Sequence, residues 1–245
     1  MIRHLLQLIW NQRKQNAWLW AELLLVSVFL WFLVDYLYVM GRTYTAPLGF
    51  DIRHTYSLVI SSLSERSPDY IPKEKRERPD GVHLLTALDR IRTYPGVESA
   101  CLTDGGMPYY MGSRNLVWRI DTLQVPCRYA FVTPEFFDVF RIYDKEGETA
   151  SLKRAIEDNN SIVISADVET MNPGLSLLGQ KAYRGNVTDE IEETIRGISV
   201  PIRRHEYTKA EPNVYRALRL SRMEEGYYEG MIDAVRLCVR VRPDV

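Results

Sequence analysis

The side chains that could do chemistry are few, and they are spread along the chain. The three cysteines, Cys101, Cys127 and Cys238, have neither a Cys-x-x-Cys spacing nor any other spacing typical of a metal site. At most one disulfide can form among them, and the alternative is that they are small buried thiols. The four histidines are equally dispersed: His4, His54, His83 and His205. We therefore predict no metal site.

Catalytic motifs are also absent from the sequence. It has no Walker A loop and no G-x-S-x-G nucleophile motif. The Gly105-Gly106 turn could form an anion-binding nest, but no helix opening with Lys and Ser or Thr follows it. The acidic residues fall mostly in predicted loops or on helix faces, where a solvated surface is the common explanation. We predict no catalytic residue, no bound cofactor and no enzymatic activity.

The overall charge gives no indication of a polyanionic partner. The chain has 31 Lys and Arg against 32 Asp and Glu, a net charge of −1. The basic residues are scattered along the sequence, which argues against nucleic acid binding. An aromatic content of 11% favours a folded domain over a disordered one.

One long apolar segment, Ala17 to Met40, stands apart from this polar background. About 20 apolar residues suffice for a helix that crosses a bilayer, and tryptophans and tyrosines flank this segment at both ends. Basic residues without any acidic residue precede it, so the positive-inside rule puts the N-terminus in the cytoplasm. A cleaved signal peptide is the alternative, but the apolar run is too long for one. Glu22 and Asp35 lie near its ends, either at the interface or facing a neighbouring helix.

Residues 1–16 carry a second helical signal. Ile2, Leu5, Leu6, Ile9 and Trp10 follow the spacing of one helical face. This pattern predicts a short amphipathic helix on the cytoplasmic membrane surface.

Beyond the apolar segment, the pattern alternates between short strands and short helices. A strand at 55–62, a helix at 82–94 ended by Pro95-Gly96, and a strand at 97–103 form a split β-α-β unit. Thr133 and Pro134 are predicted to open a short helix that carries Phe136, Phe137 and Phe140, with Thr133 as its N-cap. Further strands are expected at 115–120, 125–132, 161–165, within 193–203, and at 237–241.

Several of these segments, in the same order, resemble the permeases of MacB/FtsX-type ABC transporters. The most specific is Tyr129 to Phe140, which resembles the family's V-(S/T)-P-E-F-F-x-x-F segment. Shorter matches lie at 95–99, 162–165, 178–181, 195–199, 211–215 and 237–243. Together they span most of the chain.

The resemblance implies an α+β fold with one N-terminal transmembrane helix at 17–40 and a MacB-like periplasmic core domain at 41–245. We expect two subdomains within it: a split β-α-β part from 51–112 and 226–245, and a mainly β part inserted at 113–225. In the family, the core domain continues with a further helix and strand that have no counterpart before Val245, so we also expect the core domain to be incomplete at its C-terminus.

The resemblance also implies a function without catalysis in this chain. It predicts the periplasmic portion of an ABC transporter permease in the bacterial inner membrane, which couples ATPase-driven motion to export or mechanotransmission. The implied partners are a cytoplasmic ABC ATPase subunit, a second permease copy, the lipid bilayer and a periplasmic adaptor protein. The alternative is a membrane-anchored extracytoplasmic sensor or ligand-binding module. Neither the transported substrate nor the oligomeric state follows from the sequence.

Overall fold

The computed structural model describes residues 17–61, 63–72, 75–110, 112, 114–185, 190–226 and 232–243, together with residues 3, 7, 10, 11 and 14. The predicted amphipathic helix at 1–16 therefore lies outside the continuously described residues. The chain divides into two compact units, Met1–Ala46 and Pro47–Val245.

The first unit is dominated by helix α1, Ala17–Thr45. It runs five residues past the predicted end at Met40, and none of its residues is buried. At a rise of about 1.5 Å per residue, its 29 residues exceed the roughly 30 Å of a bilayer's hydrocarbon core. Among the described residues it is the one helix long and apolar enough to cross a membrane.

The second unit contains five further α-helices among its described residues, one 3₁₀ turn at Ile232–Ala234, and nine strands. The helices are α2 (Asp80–Arg92), α3 (Phe136–Val139), α4 (Ala150–Glu157), α5 (Asp167–Met171) and α6 (Leu220–Glu224). The strands are β1 (Thr55–Leu58), β2 (Val97–Asp104), β3 (Arg114–Ile120), β4 (Leu123–Val132), β5 (Ser161–Ser165), β6 (Lys181–Arg184), β7 (Ile191–Ser199), β8 (Asn213–Ala217) and β9 (Arg236–Val241). The predicted mixed α/β class with one N-terminal apolar helix is confirmed.

The split β-α-β unit is built around the last strand. β9 lies between β1 and β2 and runs antiparallel to both, so β1 and β2 are parallel and joined through α2. Leu84 and Leu88 of α2 pack on Leu102 of β2 and Leu237 of β9, all of them buried. An apolar helical face and an apolar sheet face thus bury each other, which is the main stabilising term for both.

The other six strands close into a barrel. They pair in the order β4, β3, β6, β7, β5 and β8, and β8 then pairs in parallel with β4. β4 also pairs with β2, which joins the barrel to the open part of the sheet. The division into subdomains at 51–112 plus 226–245 and at 113–225 stays a prediction.

The barrel interior is filled by side chains that alternate along its strands, because neighbouring residues of a strand point to opposite faces. Large members are Trp118 and Ile120 of β3, Ile162 of β5 and Ile195 of β7, each fully buried. The middle of the barrel is therefore a packed core and leaves no open channel.

Phe136, Phe137 and Phe140 are buried in one core cluster. Most members of this cluster lie within 113–225, and Phe136 and Phe137 contact Tyr215 of β8. Helix α3 also packs against β2 and β9. The ring cluster thus lies where the barrel meets the split β-α-β part, since Cys101 and Cys238 belong to the same core.

Two local predictions are wrong for identifiable reasons. The strand predicted at 55–62 ends at Leu58, because its partner residue Leu237 lies next to the start of β9. Thr133 is not the N-cap of α3, which is Glu135 without a side-chain capping bond. The Thr133 hydroxyl instead accepts a hydrogen bond from the Leu102 N–H at 3.1 Å, across the sheet.

The structure selects one pair among the three cysteines. Cys101 of β2 and Cys238 of β9 are direct cross-strand partners, and both are fully buried. Cβ atoms at opposed positions lie about 4.5–5.5 Å apart, close to the roughly 3.5–4.5 Å of a disulfide. Cys127 faces the barrel core, and burial raises its pKa to about 12.

We therefore expect Cys101 and Cys238 to form a disulfide when the unfolded chain is refolded with oxidised glutathione. The two thiols lose two protons and two electrons, and glutathione disulfide is reduced. Peptide mapping without reductant should find this one cross-link, unchanged in Cys127→Ser and absent in Cys238→Ser. A cross-link that contains Cys127 would contradict this pairing.

Candidate functional site

A cavity of about 420 Å³ opens at one end of the barrel. Most of the residues that line it come from the ends of β4, β6 and β8, from the starts of β3 and β7, and from the residues just before β5. The others are Asp104 at the end of β2, and Arg219 and Arg222 after β8. The pairing directions bring the six strand positions together, so the cavity is the mouth of the barrel. Barrel mouths are common ligand sites, and this volume falls in the range of small-molecule pockets.

Along each barrel strand, every second side chain faces the core, and the last side chain of this inward-facing row lies at the barrel mouth. In β3, the row from Ile120 through Trp118 reaches Arg114 at the mouth. The other rows follow the same period of two. Their last members are Phe131 of β4, Asn160 before β5, Arg184 of β6, Glu193 of β7 and Arg216 of β8. The core is thus apolar in its middle and charged at this end.

Glu193 is the most buried charged group of the barrel mouth, with 2% of its surface exposed. Arg216 Nε donates a hydrogen bond to Glu193 Oε1 at 2.7 Å. Arg184 Nε lies 3.4 Å from Glu193 Oε2, within ion-pair distance but outside hydrogen-bond geometry. Neither of these two atoms has a hydrogen-bond partner among the described residues. The barrel mouth therefore contains a buried donor and a buried acceptor whose hydrogen-bonding capacity is unused.

A second carboxylate, Asp104, lies at the end of β2. Arg114 Nη1 donates to its Oδ2 at 2.6 Å. Burial raises the pKa of Asp104, and the Arg114 charge and hydrogen bond oppose this rise. Burial also lowers the pKa of Arg216, and the neighbouring Glu193 counteracts it.

Arginines outnumber acids in the barrel mouth. Five arginines line it, at positions 114, 184, 216, 219 and 222, against the carboxylates of Asp104 and Glu193. Arg222 has a further interaction partner, and without it four arginines face two carboxylates. The excess is then at least two positive charges, since protonation of Asp104 would only raise it. The Arg216 guanidinium also lies 4.9 Å from the centre of the Phe131 ring, a cation–π distance. This arrangement can bind an anion, and it contains no nucleophile paired with a base.

Sequence reasoning missed this cluster because it treated the basic residues as scattered. The available signal was local: Arg216, Arg219 and Arg222 recur every three residues after a buried strand. The other two arginines are contributed by strands far apart in sequence, so only the barrel pairing brings them in.

The groups that sequence reasoning considered first do not assemble into a site. Among the described residues, no three His, Cys, Asp or Glu side chains could hold a metal ion. His4 lies outside the described residues. Gly105 and Gly106 have φ values of +87° and +69° and form a turn next to Asp104. A Cβ on Gly106 would lie 2.5 Å from Ala130 Cβ, so close packing against β4 accounts for this glycine.

The described residues thus define a chain with one candidate membrane helix and a mixed α/β domain that contains a barrel with a basic mouth. No family model matches the chain, and no curated protein matches it. Among solved structures, the chain is similar to a domain of a Porphyromonas gingivalis protein assigned as a permease, with 20% identity and a TM-score of 0.46. The similarity covers 65% of this chain and 62% of that one, so the chain spans less than two thirds of that structure.

Two further solved structures are similar over a larger share of the chain. The periplasmic region of MacB from Actinobacillus actinomycetemcomitans has 10% identity and a TM-score of 0.46, covering 83% of this chain and 81% of that one. The extracellular domain of YknZ, a noncanonic ABC-type transporter from Gram-positive bacteria, has 12% identity and a TM-score of 0.45, covering 78% and 85%.

Proposed function

We propose that the chain is a non-catalytic, membrane-anchored, extracytoplasmic portion of an ABC transporter permease. In this proposal α1 crosses the bacterial inner membrane, and the domain from Pro47 onward receives motion that a cytoplasmic ATPase generates. The domain would pass this motion on in export or in mechanotransmission. Its partners would be the ATPase, a second permease copy and a periplasmic adaptor protein.

The observation that carries this proposal is the pairing of the domain's first and last strands. Thr55 of β1 lies opposite Arg240 of β9, and the Val241 N–H donates to the His54 carbonyl at 2.9 Å. The polypeptide therefore enters and leaves the domain at one place. In this proposal, force that reaches the domain at this place acts on paired strands.

Arg240 strengthens this junction. Its side chain is 1% exposed and donates to the carbonyls of Val139 at 2.7 Å and Arg53 at 2.8 Å. It also donates to the Asp51 carbonyl. One guanidinium thus ties the entry segment, the exit strand and the end of α3 together, which would transmit displacement from the junction into the core.

The sequence segments that resemble the transporter family fall on elements near this path. The segment 129–140 covers the end of β4 and the whole of α3, between the barrel and the split β-α-β part. The segment 237–243 contains most of β9, and 95–99 leads into β2.

We expect the N-terminus to lie in the cytoplasm and the domain outside, which impermeant labelling can test. The three native cysteines are buried, so a membrane-impermeant maleimide should react only with an introduced thiol. In intact cells Asp69→Cys should be labelled and its matched control Asn11→Cys should be protected. The reverse pattern would contradict the orientation.

The coupling itself requires an ATPase partner. Purification of the full chain from its own cells in mild detergent should co-isolate a protein with a Walker A loop. Photo-cross-linkers placed at Arg3 or Lys14 should reach that protein, and those placed at Asp69 should not. Isolation of the chain without any nucleotide-binding protein would contradict the permease proposal.

One observation favours the second candidate, an extracytoplasmic sensor or ligand-binding module. This is the basic barrel mouth, because force transmission alone needs no cavity lined by an excess of arginine. Binding and transmission are compatible in one domain, and the ATPase test separates a permease from a sensor.

A further inference from the structure

We propose that the barrel mouth is a binding site for a phosphate group, which belongs either to a soluble phosphate ester or to a lipid headgroup. The site would use the Arg219 side chain together with the unpaired Nε donor of Arg184, while Glu193 holds the inner arginines in place. This inference does not depend on whether the chain couples to an ATPase.

The charge balance of the barrel mouth is the first argument. Even without Arg222, the remaining four arginines exceed the two carboxylates by at least two positive charges. A phosphate monoester carries about −1.5 to −2 at neutral pH, so it matches this excess better than a single carboxylate does. Without such an anion, the crowded arginines repel one another. This repulsion is seen at Arg216, whose pKa is lowered by burial and also by the charges of Arg184 and Arg219.

The donors available in the cavity are the second argument. Arginine presents a planar fork of N–H donors that suits phosphate oxygens. Among the described residues, the Arg219 side chain has no ion-pair or hydrogen-bond partner, and only its backbone carbonyl accepts a hydrogen bond, from the Arg222 N–H. Arg184 Nε is a buried donor without an acceptor in good geometry. A bound oxyanion would supply acceptors to donors that the protein itself leaves unused.

The surroundings of these donors fit a small ligand better than a polymer. The cavity is bounded by the strand ends and has about 420 Å³ of space. Phe131, Ile191 and Ala217 give it an apolar side, against which a glycerol or sugar body could pack. A structural explanation also exists, in which Glu193, Arg184 and Arg216 only close the barrel end. That explanation predicts no saturable binding.

Isothermal titration of the full chain in phosphatidylcholine nanodiscs, with glycerol phosphate as the probe, tests the proposal. We expect saturable binding that weakens as salt is raised. Arg219→Gln should weaken the affinity about tenfold or more, because it removes a charged hydrogen bond to the anion without breaking an ion pair of the fold. The absence of saturable binding to the folded chain would overturn the proposal.

Arg242→Gln is the matched control. Arg242 is exposed, and its N–H bonds to Gly96, at the end of β2 opposite to Asp104. Val97 and Asp104 are seven positions apart along β2, a span of roughly 23 Å. This control should bind the probe as the native chain does. An equal loss in both variants would show that only general charge attracts the anion, and the site would be rejected.

Lipid analysis of the purified chain distinguishes the two sources of phosphate. If the ligand is a headgroup, anionic phospholipid should co-purify with the native chain and with Arg242→Gln, but not with Arg219→Gln, and added glycerol phosphate should displace it. If the ligand is a soluble ester, the glycerol phosphate titration should be unaffected by exchanging a fifth of the nanodisc lipid for phosphatidylglycerol. Co-purification of equal lipid with all three proteins, without displacement, would count against the headgroup source.

Discussion

Phe137→Ala should be one of the most destabilising single substitutions in the domain. Its ring is fully buried, and it meets the Phe136 and Tyr215 rings edge to face at centroid distances of 5.9 and 5.6 Å. Removing it leaves a cavity at the contact between α3, β8 and the strands of the split part. Truncating a buried Phe to Ala costs about 3–5 kcal/mol. We expect a clear drop in the melting temperature of the chain in detergent micelles.

The consequence should extend beyond the local cavity. α3 has only four residues, too few to be stable alone, so the burial of its rings maintains it. Tyr94→Ala is the control, because that ring is 67% exposed and its removal leaves no cavity. It should change the melting temperature by much less. Equal melting temperatures for native and Phe137→Ala chains would mean that this ring contributes little to the junction between barrel and split unit.

Local sequence patterns predicted most of the elements but not how far each extends. Helical spacing from Val82 to Ile91 identified α2, and alternation in the last strand identified β9. Strand length depends on the partner instead. Val59 and Ile60 favour a strand as strongly as Leu58 does, but β1 pairs only with β9, and this pairing stops at Leu237.

The barrel and its mouth were beyond the reach of such patterns. Closure depends on the parallel pairing of β4 with β8, between residues such as Ala130 and Tyr215 that lie far apart in sequence. No spacing within either strand encodes that contact. The arginine cluster follows from closure, because Arg114 and Arg184 approach Arg216 only once the strand ends form a ring. Sequence reasoning could therefore identify the arginines at 216, 219 and 222, but it could not place Arg114 and Arg184 beside them.

Thr133 shows a related limit. Thr-Pro-Glu before apolar residues is a good local signal for a helix start. In the structure the Thr133 hydroxyl instead accepts a hydrogen bond from the Leu102 N–H of β2. A buried backbone donor is costly to leave unpaired, and that cost outweighs the gain from a local cap on a helix of one turn.

Arg240 is the residue whose replacement should most directly affect the junction between entry and exit. Its charge is buried, and among the described residues no carboxylate lies within ion-pair distance of it. Burial lowers the pKa of Arg240, and the nearby positive charge of Arg141 lowers it further. Hydrogen bonds to the backbone carbonyls of Val139, Arg53 and Asp51 compensate for the burial of this charge. An apolar replacement of similar length removes all three hydrogen bonds at once. The Val139 and Arg53 carbonyls would then share the Thr55 hydroxyl, which lies 3.3 and 3.5 Å from them, and the Asp51 carbonyl would lose its Arg240 donor.

We therefore expect Arg240→Met to lower the free energy of unfolding by about 3 kcal/mol or more, since each of the three lost hydrogen bonds has a charged donor and contributes about 1.5–3 kcal/mol. Hydrogen exchange should accelerate first at residues 51–58 and in β9, and the barrel strands should stay protected longer. Arg240→Lys keeps the charge but loses the fork, so its loss should be intermediate. Arg53→Gln is the control and should be nearly neutral, because the Arg53 side chain is exposed and, among the described residues, has Asp51 as its one side-chain partner. If Arg240→Met accelerated exchange in β1, β9 and the barrel equally, Arg240 would be a general core residue, and its role in joining the entry and exit strands would be excluded.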